Sequence, residues 1–202
     1  MKIIIENIGK RFNKEWIFRN LNYEFTSGNK YAILGTNGCG KSTLLQIIAG
    51  ASSQTEGEIK YVSQENIQNP FRDLGLAAPY LELPEEMTWR EAVMFHKKFK
   101  KFVLEFTEEK IISLSGLKSS AEKEIRNFSS GMKQRARLTL AIFSDTPLLL
   151  LDEPSTNLDA NSVKWYQDLI SEFARERLVI VCSNYNKEEY SFCNKEFVIQ
   201  KA

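Results

Sequence analysis

The sequence predicts an α/β fold: a mostly parallel sheet flanked by helices, with a helical segment inserted at about 85–140. Three observations predict it. Short apolar runs alternate with helical stretches, the pattern of strand–helix–strand units. One run, Leu148 to Leu151, is four leucines in succession, which suits a strand covered on both faces. A glycine-rich loop, Gly35 to Gly40, stands between an apolar run and a helix.

The elements follow in order. Residues 2–6 read as a first strand, and 16–25 as further strand material around a polar bend. Residues 30–34 are a short apolar run that stops at Gly35. Residues 41–49 read as a helix, apolar at Leu44, Leu45, Ile47 and Ile48, with Gly50 where a helix stop belongs. Pro70, Pro79 and Pro84 then punctuate 64–87. Thr88 with Glu91 three residues on makes a capping box. The helix it opens carries a stripe through Trp89, Val93, His96, Phe99 and Phe102. Ser129-Ser130-Gly131 is a polar loop before a second amphipathic helix that ends near Phe143. A helix at about 162–175 and strands at 178–182 and 197–199 complete the chain.

Composition narrows the class. The 202 residues are 43% hydrophobic and 26% charged, which excludes disordered, collagen-like and disulfide-scaffold chains. The length suits one domain. Lys plus Arg is 27 against 26 Asp plus Glu, so the basic excess of a phosphate-backbone binder is lacking and no direct nucleic-acid partner is expected. Cys39, Cys182 and Cys193 form no CxxC pair, and an odd count fits a reducing compartment. No run approaches the ~18 apolar residues of a membrane span. The first residues lack the apolar core of a signal peptide. The expected location is cytoplasmic.

Gly35-Thr36-Asn37-Gly38-Cys39-Gly40-Lys41-Ser42 fits G-x-x-x-x-G-K-[ST]. Glycines let backbone N–H groups converge on phosphate oxygens without Cβ clashes. The helix from Lys41 adds its N-terminal partial charge. Lys41 would reach the outer phosphates, and the Ser42 hydroxyl would ligate Mg²⁺. Gly35, Asn37, Gly38, Cys39, Gly40, Lys41, Ser42 and the adjoining Thr43 are therefore the expected nucleotide-binding residues. Asp152 follows the leucine run, at the strand end where ligands bind in open α/β sheets, and would help hold the metal. Glu153 beside it could polarise an attacking water.

Four stretches in order carry a family resemblance: Gly35–Ser42, Phe128-Ser129-Ser130-Gly131-Met132-Lys133-Gln134-Arg135, Leu148–Glu153, and Ser155-Thr156-Asn157-Leu158-Asp159. Together they resemble the nucleotide-binding subunit of an ABC transporter, over nearly the whole chain. The second is similar to the family signature, with Phe128, Ser130 and Met132 replacing the usual Leu, Gly and Gln. The resemblance implies a P-loop NTPase core with a small N-terminal antiparallel β part and an α-helical subdomain. The core would be RecA-like at about 1–78 and 141–202, the subdomain at about 85–140, in a single domain spanning 1–202. It implies ATP and Mg²⁺ as cofactors, and hydrolysis that powers transport through a separate integral membrane subunit. It implies a homodimer or heterodimer of ATPase subunits, peripheral on the inner face of the membrane. Ser129 and Gly131 would face the nucleotide of the other subunit, and Asp159 would be the acidic residue of the D-loop. Phe12 matches the aromatic that stacks on adenine, with Trp16 the alternative.

The chain departs from the family at two points. Asn184 stands where the family has a histidine near the γ-phosphate; it can donate a hydrogen bond but cannot titrate. Gln64 looks like the family's metal-contacting glutamine, yet aligning Gly75 and Thr88 with their usual counterparts puts Pro79 at that position. Two other functions stay open at this point: a soluble ATPase of the same type acting on nucleic acid or ribosomes, and a nucleotide sensor whose hydrolysis has decayed. Elsewhere, Cys39 at a helix N-terminus is either a thiol that alkylates readily and is protected by Mg-ATP, or a neutral small filler. His96 is expected to pack rather than ligate. Lys97, Lys98, Lys100 and Lys101 form a basic cluster. Tyr80-Leu81-Glu82-Leu83 precedes the helical insertion, where the resemblance implies docking of a membrane partner; an apolar, exposed pair there would be a docking surface.

Overall fold

The computed structural model describes residues 1–62 and 73–200. Gln64 lies outside the described residues.

Two sheets form. β1 (Lys2–Phe12) pairs antiparallel with β2 (Glu15–Thr26) on one side and β4 (Glu56–Val62) on the other. The isoleucine-rich start of β1 explains its position. Ile3, Ile5 and Ile8 are fully buried and alternate with exposed or half-buried residues, apart from one register shift after Ile5. β1 is longer than its apolar core suggests, because its distal half is polar and is held by the ladder to β2 instead of by burial. The same reason conceals β4 in the sequence: its glutamates and lysine hide a strand whose partner is far away along the chain.

The second sheet is parallel, in the order β5 (Leu74–Ala77), β6 (Leu148–Asp152), β7 (Leu178–Ser183), β3 (Lys30–Leu34), β8 (Lys195–Val198). β6 and β7 are buried along their whole lengths. One face packs on α1 (Lys41–Ile48) and the antiparallel sheet. The other packs on the helical elements: α2 (Trp89–Lys97), α3 (Glu108–Leu114), α4 (Ser130–Phe143) and α5 (Ala160–Phe173). A short α6 (Lys187–Tyr190) follows β7.

Register aligns four strand ends. Ala77 pairs with Leu151, Asp152 with Cys182, and Leu34 with Ser183. The loops that leave β5, β6, β7 and β3 therefore open on one edge of the sheet.

The capping box forms as expected: Thr88 accepts from the Glu91 N–H, and the Glu91 carboxylate accepts from the Thr88 N–H. The stripe beyond it does not continue. α2 ends at Lys97, so Phe99 turns outward at 70% exposure while Phe102 is buried. The 88–126 region is broken into α2, α3 and single 3₁₀ turns.

His96 packs, as expected. Its Nε2 lies 2.8 Å from the Ser144 hydroxyl and its ring stacks on Phe102. Burial, helped by the charge of Lys100, pushes its pKa down to about 4. As pH falls below the ordinary value of about 6.5, the unfolded chain binds a proton that folded His96 refuses, so stability is lost down to the folded pKa. His96→Gln is expected to remove about 2 kcal/mol of that loss. Urea midpoints of both proteins at pH 7 and pH 4.5 check this: an equal acid shift in the two would show that His96 does not contribute.

Candidate functional site

The glycine loop runs from the end of β3 into α1. Gly40 is the residue before the helix, at φ 102°, where an L side chain is strained. A Cβ there would also sit 2.5 Å from Ile17 and 2.7 Å from buried Phe18. Glycine is thus required for both conformation and space. The α1 N-terminus begins at this point without a side-chain cap, so its first N–H groups remain available to an anion.

Lys41 is buried, and its Nζ donates to the carbonyls of Gly35 at 2.9 Å and Thr36 at 3.1 Å. Asn37, Gly38, Gly40, Lys41, Ser42 and Thr43 line a cavity of about 220 Å³ with Ile17 on one side and Glu153 on the other. Lysine, loop amides and Glu153 therefore share one space.

Asp152 ends β6, just before Glu153. It is 2% exposed, and its Oδ1 has no hydrogen-bond partner among the described residues. Burial pushes its pKa up to about 6, the Ser42 hydroxyl hydrogen-bonded to it pulls the other way, and the charge of Glu153 raises it further. A buried carboxylate oxygen without a partner costs free energy unless something cationic meets it. Ser42 and Asp152 carry hard oxygen donors, the type that Mg²⁺ takes. These residues fit a Mg²⁺ ion.

Glu153 leaves β6 at φ 44° and its N–H donates to the Cys182 carbonyl at 3.0 Å. A left-handed non-glycine residue at a cleft is the kind of strain that functional sites retain. Asn184 is exposed, just past the end of β7.

The signature lies at the start of α4. Ser129 is exposed and caps the helix, accepting from the Met132 N–H at 3.2 Å. Gly131 is needed for packing: a Cβ there would lie 2.8 Å from the Asn157 carbonyl. Gln134 donates to the Pro154 carbonyl at 2.9 Å. The signature helix is therefore fastened to the segment that follows Glu153. Asp159 caps α5, accepting from the Ser162 N–H at 2.7 Å; the Ser162 side chain first, and this N–H second, hold its carboxyl below the usual range.

Phe12 ends β1 and is 53% exposed, with Lys10 over its ring. Trp16 is covered by Arg19 at 4.1 Å and Arg11 at 5.2 Å, and Arg19 is tied to Glu56.

Two expectations need correction. Cys39 is buried, 3% exposed, with its sulfur packed against Gly35, so it is not the accessible thiol that position alone suggests. Its neighbour Gly38 is exposed, but the loop turns Cys39 inward among apolar side chains. Leu83 packs against the main core and Leu81 is only half exposed, so the exposed apolar pair does not form. Tyr80 alone of the three stays exposed, at 42%.

Sequence reasoning passes over Glu189. Glu189 is buried and accepts from the Ser155 hydroxyl at 2.9 Å, joining α6 to the segment after Glu153. No spacing pattern flags it. Among the described residues no group of three His, Cys, Asp or Glu forms a further metal cluster.

A family model described as ABC transporter matches residues 18–156. The lantibiotic transport ATP-binding protein SrtF of Streptococcus pyogenes is 29% identical over 184 residues, 90% of this chain and 79% of its own length. The aliphatic sulfonates import ATP-binding protein SsuB of Bacillus cereus is 31% identical over 210 residues, 100% of this chain and 82% of its own. The dimeric structure of a bacterial ABC transporter cassette superposes with a TM-score of 0.82 at 22% identity, covering 98% of this chain and 94% of that one.

Proposed function

The chain belongs to the ABC transporter family as an ATP-binding subunit, and from that membership we propose that it binds Mg-ATP and hydrolyses it to drive a separate membrane subunit. One observation carries the chemistry: the buried Oδ1 of Asp152, without a hydrogen-bond partner among the described residues, at the strand end beside Glu153, which lines the cavity of the lysine-bearing loop. Ser42 and Asp152 would hold Mg²⁺, which supplies charge for the developing phosphoryl oxygens. Lys41 and the loop amides from Gly35 to Thr43 orient the triphosphate. Glu153 accepts a proton from the attacking water. Asn184 donates a hydrogen bond toward the γ-phosphate. Phe12 stacks on adenine; its exposure favours it over Trp16, whose faces arginines occupy.

The site is completed by a second ATPase subunit. Ser129 and Gly131 sit at the N-terminus of α4, where the exposed Ser129 hydroxyl, which accepts from the Met132 N–H, and the first-turn N–H groups would suit an anion brought by a partner. Asp159, as a helix cap next to the same surface, orders it.

We place the membrane subunit against a cleft of about 640 Å³ between Pro79–Glu86 and α4, floored by Ile125 and edged by Lys133 and Arg137. The chain then acts on the membrane from the cytoplasmic face. No helix among the described residues is long and apolar enough to cross a membrane itself. The relatives named above serve lantibiotic transport and sulfonate import. Transport is our reading for this chain too, with its cargo decided by the membrane subunit.

Magnesium-dependent ATP turnover by the purified chain tests this proposal, and its absence would overturn hydrolysis. Asn184→His is expected to raise turnover about fivefold, since a charge-assisted hydrogen bond is roughly twice as strong as a neutral one. An unchanged rate would mark position 184 as idle.

A further inference from the structure

Asn184 sits on a turn that is fastened at both ends. Ahead of it, the Cys182 carbonyl accepts from the Glu153 N–H at 3.0 Å. Behind it, the Asn186 side chain donates to the Ser155 hydroxyl at 3.0 Å, and the Asn186 N–H donates to the Ser183 hydroxyl at 3.1 Å. Glu189, 4% exposed, anchors the far side. Its Oε1 accepts from the Ser155 hydroxyl at 2.9 Å and from the Ser155 N–H at 3.4 Å. Its own carbonyl accepts from the Tyr166 hydroxyl of α5 at 2.9 Å. Within this bridge Glu153, at φ 44°, and Tyr185, at φ 60°, are both left-handed. Such backbone persists only where its neighbours over-determine it.

A buried carboxylate is costly to keep, and an apolar residue of similar volume would fill the place at less cost. Glu189 does what an apolar residue cannot: it accepts from both donors of Ser155. Ser155 is just past Glu153 in the chain, and Asn186 just past Asn184. These bonds therefore tie the turn that bears the amide to the segment that bears the acid. The tie matters for an asparagine. A neutral hydrogen bond has a small net worth, and ordering one loose loop residue costs about as much. On an unfixed turn the Asn184 amide would gain nothing at a phosphate. On a fixed turn the bond is kept.

We propose that Glu189, through Ser155 and Asn186, positions the Asn184 side chain for the outer phosphate. The proposal rests on the role given to Asn184 above. Glu189 and Ser155 are positioning residues: they act on the nucleotide through Asn184.

Hydrogen exchange of the nucleotide-free protein, followed by mass spectrometry, reads the turn itself. Amides of 184–187 are expected to exchange about tenfold faster in Ser155→Ala and Glu189→Ala than in wild type. Mg-ATP turnover reads the consequence. Each substitution is expected to lower it about tenfold, while Glu189→Gln, which keeps an acceptor oxygen, stays within about twofold of wild type. In an Asn184→Ala background neither should lower it further, because the residue they act through is gone. Unchanged exchange or undiminished turnover in both variants overturns the proposal and leaves Asn184 standing. So does a loss that adds in full to that of Asn184→Ala. Glu189→Gln as slow as Glu189→Ala also overturns it, since the charge and not the bridge would then be needed. An Asn184→Ala protein with the wild-type rate, or a wild type without turnover, overturns the reading beneath and this proposal with it. Ser155 is half-buried, so Ser155→Ala carries the test where Glu189→Ala fails to fold.

Discussion

Glu153→Gln is expected to keep ATP binding and to lower turnover by about 10²–10⁴-fold, the usual worth of a positioned general base. The substitution is nearly isosteric. The φ of 44° and the N–H bond to the Cys182 carbonyl belong to the backbone and persist. What is lost is the ability to take a proton from water at the mouth of the cavity that holds Lys41 and Ser42. Binding survives because the loop amides and lysine carry it. With turnover blocked, a nucleotide-bound dimer should accumulate, visible as a shift in size-exclusion elution with Mg-ATP. Undiminished turnover would place the base elsewhere. Joint loss of binding and turnover would make Glu153 structural.

Asp152→Asn should move stability and function in opposite directions. The carboxyl is raised from 3.8 to about 6, chiefly by burial. A raised acid stabilises the fold below its unfolded pKa, and that contribution is lost as pH rises through the folded value. At pH 7 the native protein therefore carries a buried charge that the unfolded chain solvates freely, at a cost of about 2–3 kcal/mol. Asparagine removes the charge and keeps the shape. The metal-free variant, in EDTA at pH 7, is expected to be about 2 kcal/mol more stable than wild type by urea denaturation. Its Mg²⁺-dependent gain in nucleotide affinity should vanish, since the orphaned oxygen is the ligand the ion would use. Equal stability would mean that Asp152 is better solvated than its burial implies. Retained Mg²⁺ dependence would move the metal away from it.

The two proteins compared at acid pH separate one further effect. His96 loses stability and Asp152 gains it over overlapping ranges of pH, so wild-type curves blend them. The His96→Gln difference isolates the first, because Asp152 is common to both chains.

Much of the site is legible in the sequence because its parts are local. A glycine loop between a strand and a helix, and two acids after four leucines, are contiguous residues whose chemistry follows from type and order. The capping box at Thr88 is of the same kind. Elements that depend on distant partners are not legible. β4 is polar and exists because β1 pairs with it. α2 stops at Lys97, although the apolar spacing runs on past it. Cys39 has the sequence position of an exposed thiol, but the loop folds its sulfur against Gly35. Leu83 reads as half of an exposed apolar pair until the fold packs it against the main core.

Fold class, phosphate loop, acidic pair and family all follow from residue order, since each is written in neighbours along the chain. Packing in three dimensions selected the oxygen of the site that is left without a partner among the described residues and the thiol that is hidden. Burial and hydrogen-bond satisfaction depend on what arrives from elsewhere in the chain, and strand register alone brings residues 77, 152 and 183 to one edge.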